Sequence, residues 1–188
     1  MQMKPILFNT EMVRAILDGR KTVTRRIIKP QPKSEVVFHL GNWQETQMCA
    51  NGLRVLTPPF KVGDILYVRE TWGKTADLPG ISEEATVYAA DFSNRELAHL
   101  KDKHFRWRPS IHMPKELARL YLKVTSVRAE RLQDLTCKDA RLEGVEHPTD
   151  FPELWDSTIP KADLDRYSWE ANPWVWVIEF EVCEKKEA

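Results

Sequence analysis

Eight consecutive residues, Gly19-Arg20-Lys21-Thr22-Val23-Thr24-Arg25-Arg26, place four cations and two hydroxyls in one short stretch. A threonine hydroxyl becomes a useful nucleophile once a neighbouring base takes its proton. A lysine serves as that base when its ammonium is destabilised by burial or by other cations, here Arg20, Arg25 or Arg26. Four clustered cations also call for an anion or a carboxylate nearby. The plainer reading of the same residues is a solubilising cationic strand edge.

The elements that present them are legible on either side. Thr10 to Asp18 carries Met12, Val13, Ile16 and Leu17 at helical spacing, with Asn9 or Thr10 able to cap the start. Gly19 suits the left-handed residue that ends a helix. Thr22, Val23 and Thr24, followed by Ile27-Ile28, favour an extended strand. A helix-to-strand corner thus offers a Lys and a Thr on rigid supports.

Gly-Arg-Lys-Thr-x-Thr-x-Arg behind a short amphipathic helix resembles the signature of the ASCH domains, a branch of the PUA-like β-barrels. Gly63-Asp64-Ile65-Leu66-Tyr67-Val68-Arg69-Glu70-Thr71-Trp72 and Trp107-Arg108-Pro109-Ser110-Ile111-His112-Met113-Pro114 resemble the longer, phage and prophage members. The resemblance covers about residues 4 to 145 and the last strand. It implies a small mixed β-barrel with short flanking helices. In the members that hydrolyse acetylcytidine it implies a catalytic Lys, Thr and Glu, which match Lys21, Thr24 and Glu143. Glu143 follows the Leu135-Thr136 helix start. An ordinary strand-to-helix salt bridge is the competing explanation of Lys21 and Glu143.

The same resemblance puts further residues beside a substrate. Arg20, Arg25 and Arg26 would meet an anion. Arg69, Glu70, Trp72, Trp107, Ser110 and His112 would flank the mouth of the barrel. A stacking aromatic, a planar guanidinium and a carboxylate together suit an unpaired base. Each also has a plainer role: Arg69-Glu70 as an ion pair, the tryptophans as core, and His112, between Ile111 and Met113, as a semi-buried histidine.

At 188 residues, with 42% hydrophobic content and seven Trp, the chain suits one domain with a substantial core. No run is long and apolar enough for a membrane span, and the first residues show no signal-peptide pattern. The formal net charge is zero, so binding of a polyanion requires a local patch. Lys101, Lys103, Arg106 and Arg108 form a second basic run, and acids gather from Glu143 to Glu187. Three dispersed cysteines, Cys49, Cys137 and Cys183, point to a reducing cytoplasm rather than a disulfide scaffold. No zinc-ligand spacing, glycine-rich phosphate loop or nucleophile-elbow serine is present, so neither a metal nor a cofactor is expected.

Along the chain, Val36 to Leu40 and Leu53 to Thr57 read as a hairpin around a polar loop from Gln44 to Gly52. Ile65 to Val68 reads as a buried strand, Ala85 to Ala90 as another, and Asn94 to Lys103 as a short helix. Leu120, Leu122 and Val124 alternate, with Val127 and Ala129 out of phase as at a bulge. Thr136-Cys137-Lys138-Asp139 resembles a capping box, with its helix stopping at Gly144. Trp174 to Val182 alternates with period two over nine residues. Residues 145–172 read as an elaboration packed by Trp155 and Trp169. The sum is a single α+β domain over residues 1–188. Its expected partner is RNA, single-stranded nucleic acid or a modified nucleoside, bound in a cationic cleft with hydrolysis open. An acetylcytidine amidohydrolase, a ribonuclease and a non-enzymatic phage accessory protein are the alternatives.

Overall fold

The computed structural model of the chain describes residues 3–49, 52–75 and 85–185. The described residues form a mixed α+β fold of ten strands in three sheets with five α-helices, and their strand pairings do not close into a ring. The chain divides into two compact units. One comprises Met1–Arg20, Asp64–Lys123 and Glu181–Ala188, the other Lys21–Gly63 and Val124–Phe180. No helix among the described residues is long and apolar enough to cross a membrane.

In the first unit, β1 (Lys4–Leu7) pairs in parallel with β6 (Ile65–Arg69), Lys4 opposite Leu66. β6 then runs antiparallel to the start of β9 (Tyr121–Arg131), with Tyr67 opposite Tyr121. Between β1 and the Gly19 stop lies α1 (Thr10–Leu17), where the Asn9 side chain accepts from the Met12 amide at 2.8 Å. Its buried residues are Val13, Ala15 and Ile16, while Leu17 is half exposed. Ala15 rather than Leu17 thus joins Val13 and Ile16 on the buried side of the helix. Gly19 has a φ of 72° and Arg20 N donates to Ala15 O at 2.8 Å, so the helix ends in the left-handed turn expected of that glycine.

Two further elements of this unit are β7 (Trp72–Lys74) with β8 (Thr86–Tyr88), an antiparallel ribbon, and α2 (Asn94–Asp102). Gly73 sits on the ribbon against the Phe105 ring, where a Cβ would come within 2.6 Å of the ring carbons. Trp72, Ile65, Met113, Ala118 and Tyr121 form the core here.

The second unit is built on β2 (Val23–Ile27), which pairs antiparallel with β10 (Trp174–Cys183), Val177 opposite Arg25 and Ile178 opposite Thr24. β10 lies between β2 and β9. Its alternation is the one read in sequence, yet Trp174 to Ile178 are buried on both faces. Gln31 closes the open end of the β2–β10 pair. Its Nε2 donates to Ile28 O at 2.7 Å and Trp174 O at 3.0 Å, and its Oε1 accepts from Trp174 N at 2.7 Å. β9 continues without a break through the positions that fall out of phase.

A meander of β3 (Val36–His39), β4 (Asn42–Cys49) and β5 (Gly52–Leu56) replaces the expected two-stranded hairpin. The polar stretch from Gln44 is largely strand, not loop, because a tight turn precedes it and its residues pair with β5, Cys49 opposite Gly52. Leu40 and Gly41 take φ of 48° and 79°, and Gly52 takes 97°. α3 (Cys137–Leu142), α4 (Phe151–Ser157) and α5 (Leu164–Tyr167) complete the unit. Phe151, Trp155 and Ile159 are buried against Val23, Val175 and Val177. Residues 145–172 thus contribute Phe151, Trp155 and Ile159 to this core, with Trp169 packed against it.

Candidate functional site

Residue parity along β2 determines which motif side chains meet. Val23, Arg25 and Ile27 share one face with Val175, Val177 and Glu179 of β10, and Val23, Val175 and Val177 lie in the core covered by α3 and α4. Thr24 and Arg26 take the other face, with Trp176 and Ile178. Lys21 precedes the strand and reaches back to it, its Nζ donating to Val23 O at 2.7 Å.

On the covered face the motif meets the end of α3. That helix begins as the sequence predicts: Thr136 Oγ1 accepts from Asp139 N at 3.2 Å, and the Asp139 carboxylate accepts from Thr136 N at 3.1 Å. It ends at Glu143, with Gly144 at a φ of 93°. Two groups of the motif satisfy its last carbonyls. Thr22 N donates to Leu142 O at 2.9 Å, and Lys21 Nζ to Glu143 O at 2.9 Å. A cation at a helix C-terminus also meets the favourable end of the dipole.

The Lys21 ammonium completes its contacts with Glu143 Oε2 at 2.6 Å, across 122 residues of chain. The second oxygen of Glu143 accepts from Arg25 Nη1 at 3.1 Å, and Arg25 Nη2 donates to Glu130 at 2.6 Å. Glu130 accepts in turn from Arg128 Nε at 3.1 Å, and Arg128 also pairs with Glu179 and Asp139. Three cations thus face four carboxylates, one negative charge in excess, and the network runs from the interior out to the half-exposed Arg128 and Glu179. Its inner part is an interior ion-pair cluster, because Lys21 and Arg25 are each only 2% exposed and Glu143 5%.

Burial decides the proton affinity of Lys21. Removal from water pulls the amine below its ordinary value, with Arg26 and Arg25 acting in the same direction. The Glu143 carboxylate opposes them without restoring it. Desolvation therefore prevails over the pairing with Glu143. Thr24 has a different environment: its Oγ1 accepts from Arg26 Nη1 at 3.0 Å on the opposite face of β2. The structure brings Lys21 and Glu143 together with Arg25, and places Thr24 and Arg26 on the reverse of the same strand.

The other residues implied for a substrate lie in the first unit. Arg20 pairs with Asp18 at 2.9 Å. Glu70 is buried and accepts from Arg119 at 2.9 and 3.1 Å; the same guanidinium bonds Asp91 and lies 4.0 Å over the Tyr88 ring. The expected Arg69–Glu70 pair is thus replaced by Arg119–Glu70, and Arg69 donates to Ile111 O. Trp72 is buried core with the Arg108 guanidinium over its ring. Trp107 packs edge-on against Phe105 and Phe92. Ser110 opens a single turn of 3-10 helix, and His112 is exposed rather than semi-buried.

Sequence reasoning missed Glu130 and Arg128 as members of the network. The signal was present, since Arg128 and Glu130 alternate with Val127 and Ala129 on β9. Among the described residues no group of three His, Cys, Asp or Glu side chains is arranged to hold a metal. Comparison with protein-family models, curated proteins and solved structures gave no match to this chain.

Proposed function

We propose that the chain is an ASCH-type protein of the phage and prophage kind, with a PUA-like barrel as its ancestral frame. On this reading it recognises a modified nucleoside, or an unpaired nucleotide of RNA or single-stranded nucleic acid, at the Lys21–Glu143 pair. The observation that carries the reading is the 2.6 Å contact between two buried groups 122 residues apart, the pairing that the resemblance required. A buried lysine with lowered proton affinity beside a carboxylate is characteristic of functional sites. The cluster carries no excess positive charge, which suits a neutral nucleoside better than a phosphate chain. Three dispersed cysteines suit a cytoplasmic setting.

Binding without turnover is favoured over hydrolysis by the position of Thr24. A nucleophile should hydrogen-bond its base, and the Thr24 hydroxyl is engaged by Arg26 on the other face of β2. The test is calorimetric titration with cytidine and N4-acetylcytidine, with acetate release followed in parallel. Wild type and Lys21→Arg should bind without releasing acetate, and Glu143→Gln should lose affinity. Acetate release abolished by Thr24→Ala and Lys21→Arg would replace this reading with the amidohydrolase one. Failure of wild type to bind either nucleoside would leave the cluster as a brace between β2 and α3, a role its saturated hydrogen bonding also fits.

A further inference from the structure

The first unit carries cations that its own acids do not neutralise. Between Asn94 and Arg108 the chain has five Lys or Arg against two carboxylates, in a molecule whose formal net charge is zero. One of those carboxylates, Glu96, is committed to the start of α2, accepting from Ser93 N and Ser93 Oγ at 2.7 Å each. Arg14, Arg20, Arg54, Arg119 and Arg128 each meet an acid. Arg95, Lys101, Lys103 and Arg106 are exposed and have no ion-pair partner among the described residues.

Helical spacing sorts these side chains. Arg95, His99 and Lys103, the last at the C-cap, follow one another at intervals of four and share one side of α2. Lys101 falls on a different side and takes no part. Along the Arg95–His99 side lies a recess of about 420 Å³, lined by Phe92, Arg95, Glu96, His99 and Leu100, a size within the range of small-molecule sites. Phe92 is its aromatic wall. That ring is held edge-on by Trp107 at 5.7 Å, and Trp107 in turn by Phe105 at 4.7 Å. The amide of Glu96 already donates to Ser93 Oγ at 3.3 Å, so the attraction for an anion comes from the side chains and not from the helix end.

We propose that this side of α2 binds single-stranded nucleic acid, with phosphates on Arg95, His99 and Lys103 and one unpaired base in the Phe92 recess. A row of cations beside a braced ring matches the two repeating features of a single strand, its backbone charge and its base faces. An acidic polypeptide would meet the charge and leave the ring without a partner. The choice of nucleic acid rests on the reading proposed above; the cationic side of the helix does not.

Fluorescence anisotropy of a short labelled oligouridylate with the full chain, over a series of salt concentrations, tests this. Wild type should bind. Arg95→Ala combined with Lys103→Ala should weaken binding about tenfold or more and lower the salt slope by about 0.7 for each cation removed. Both side chains are exposed, so the unfolding midpoint should stay where it is. An abasic strand of equal length should bind at least about fivefold more weakly than oligouridylate, and polyglutamate should not compete. A wild type that does not bind overturns the proposal, as does a double variant with unchanged affinity and slope. Polyglutamate that competes as well as the oligonucleotide also overturns it. The cytidine titration reads the Lys21–Glu143 pair separately, so a chain that binds oligouridylate through Arg95 and Lys103 but binds no nucleoside upholds the α2 surface and removes only the earlier reading.

Discussion

Lys21 has three acceptors around its Nζ and almost no water, and these act on its proton in opposite senses. Desolvation prevails, so the amine titrates below its ordinary 10.5. In the unfolded chain it titrates near that ordinary value. Between the two values the unfolded state binds more protons than the folded one, so stability rises with pH across that window. Following the Lys21 Cε resonance by NMR should give a midpoint below those of the exposed lysines. In Glu143→Gln the midpoint should fall further, because the one carboxylate opposing desolvation is gone. A midpoint that rises in Glu143→Gln would show that the carboxylate is not the opposing influence. Arg25 differs in kind: its rigid guanidinium fork spans Glu143 and Glu130 and holds both in place.

The element that delivers Glu143 is α3, six residues long and dependent on its ends. A helix this short has little intrinsic stability, so its capping box and the two donors from the motif carry much of the load. Burial pushes the Asp139 carboxyl up, but the Thr136 hydroxyl and amide, with Arg25 and Arg128 nearby, hold it below its ordinary value. Its contribution is present above the unfolded carboxylate value, near pH 4, and is lost as pH falls through the folded one. Asp139→Asn keeps an acceptor but removes the first-turn charge, so it should cost about 0.3–1 kcal/mol at pH 7 and show a smaller loss than wild type on acidification, measured by urea unfolding at both pH values. The helix, its cap and its glycine stop were readable because each is a local rule written in adjacent residues. The partnership of Lys21 with Glu143 came from the resemblance alone. Face parity on β2, which separates Thr24 from Lys21 and Glu143, required the register with β10. The β4 strand was unreadable for another reason: its turn residues, Leu40-Gly41, do not have the composition that such turns usually show.

For the molecule as a whole, zero net charge is reached with some cations spent inside. Lys21 and Arg25 face carboxylates in the interior, so two of the motif's four cations add nothing to its surface charge. With charge balanced near neutrality and Leu40 exposed at the β3–β4 turn, solubility should pass through a minimum around pH 7 and increase on either side. Polyethylene glycol precipitation across pH 5 to 9, read against a Leu40→Asn variant, separates the two contributions, since only the charge effect should persist. The Gln31 amide that closes the β2–β10 pair has a consequence for synthesis. It binds Trp174 across 143 residues, so β2 emerges from the ribosome long before its partner exists. At ordinary elongation rates that interval is roughly seven to thirty seconds. Val23 and Ile27 pass it without a sheet to join, and the nascent chain is a natural client for a holding chaperone until β10 arrives.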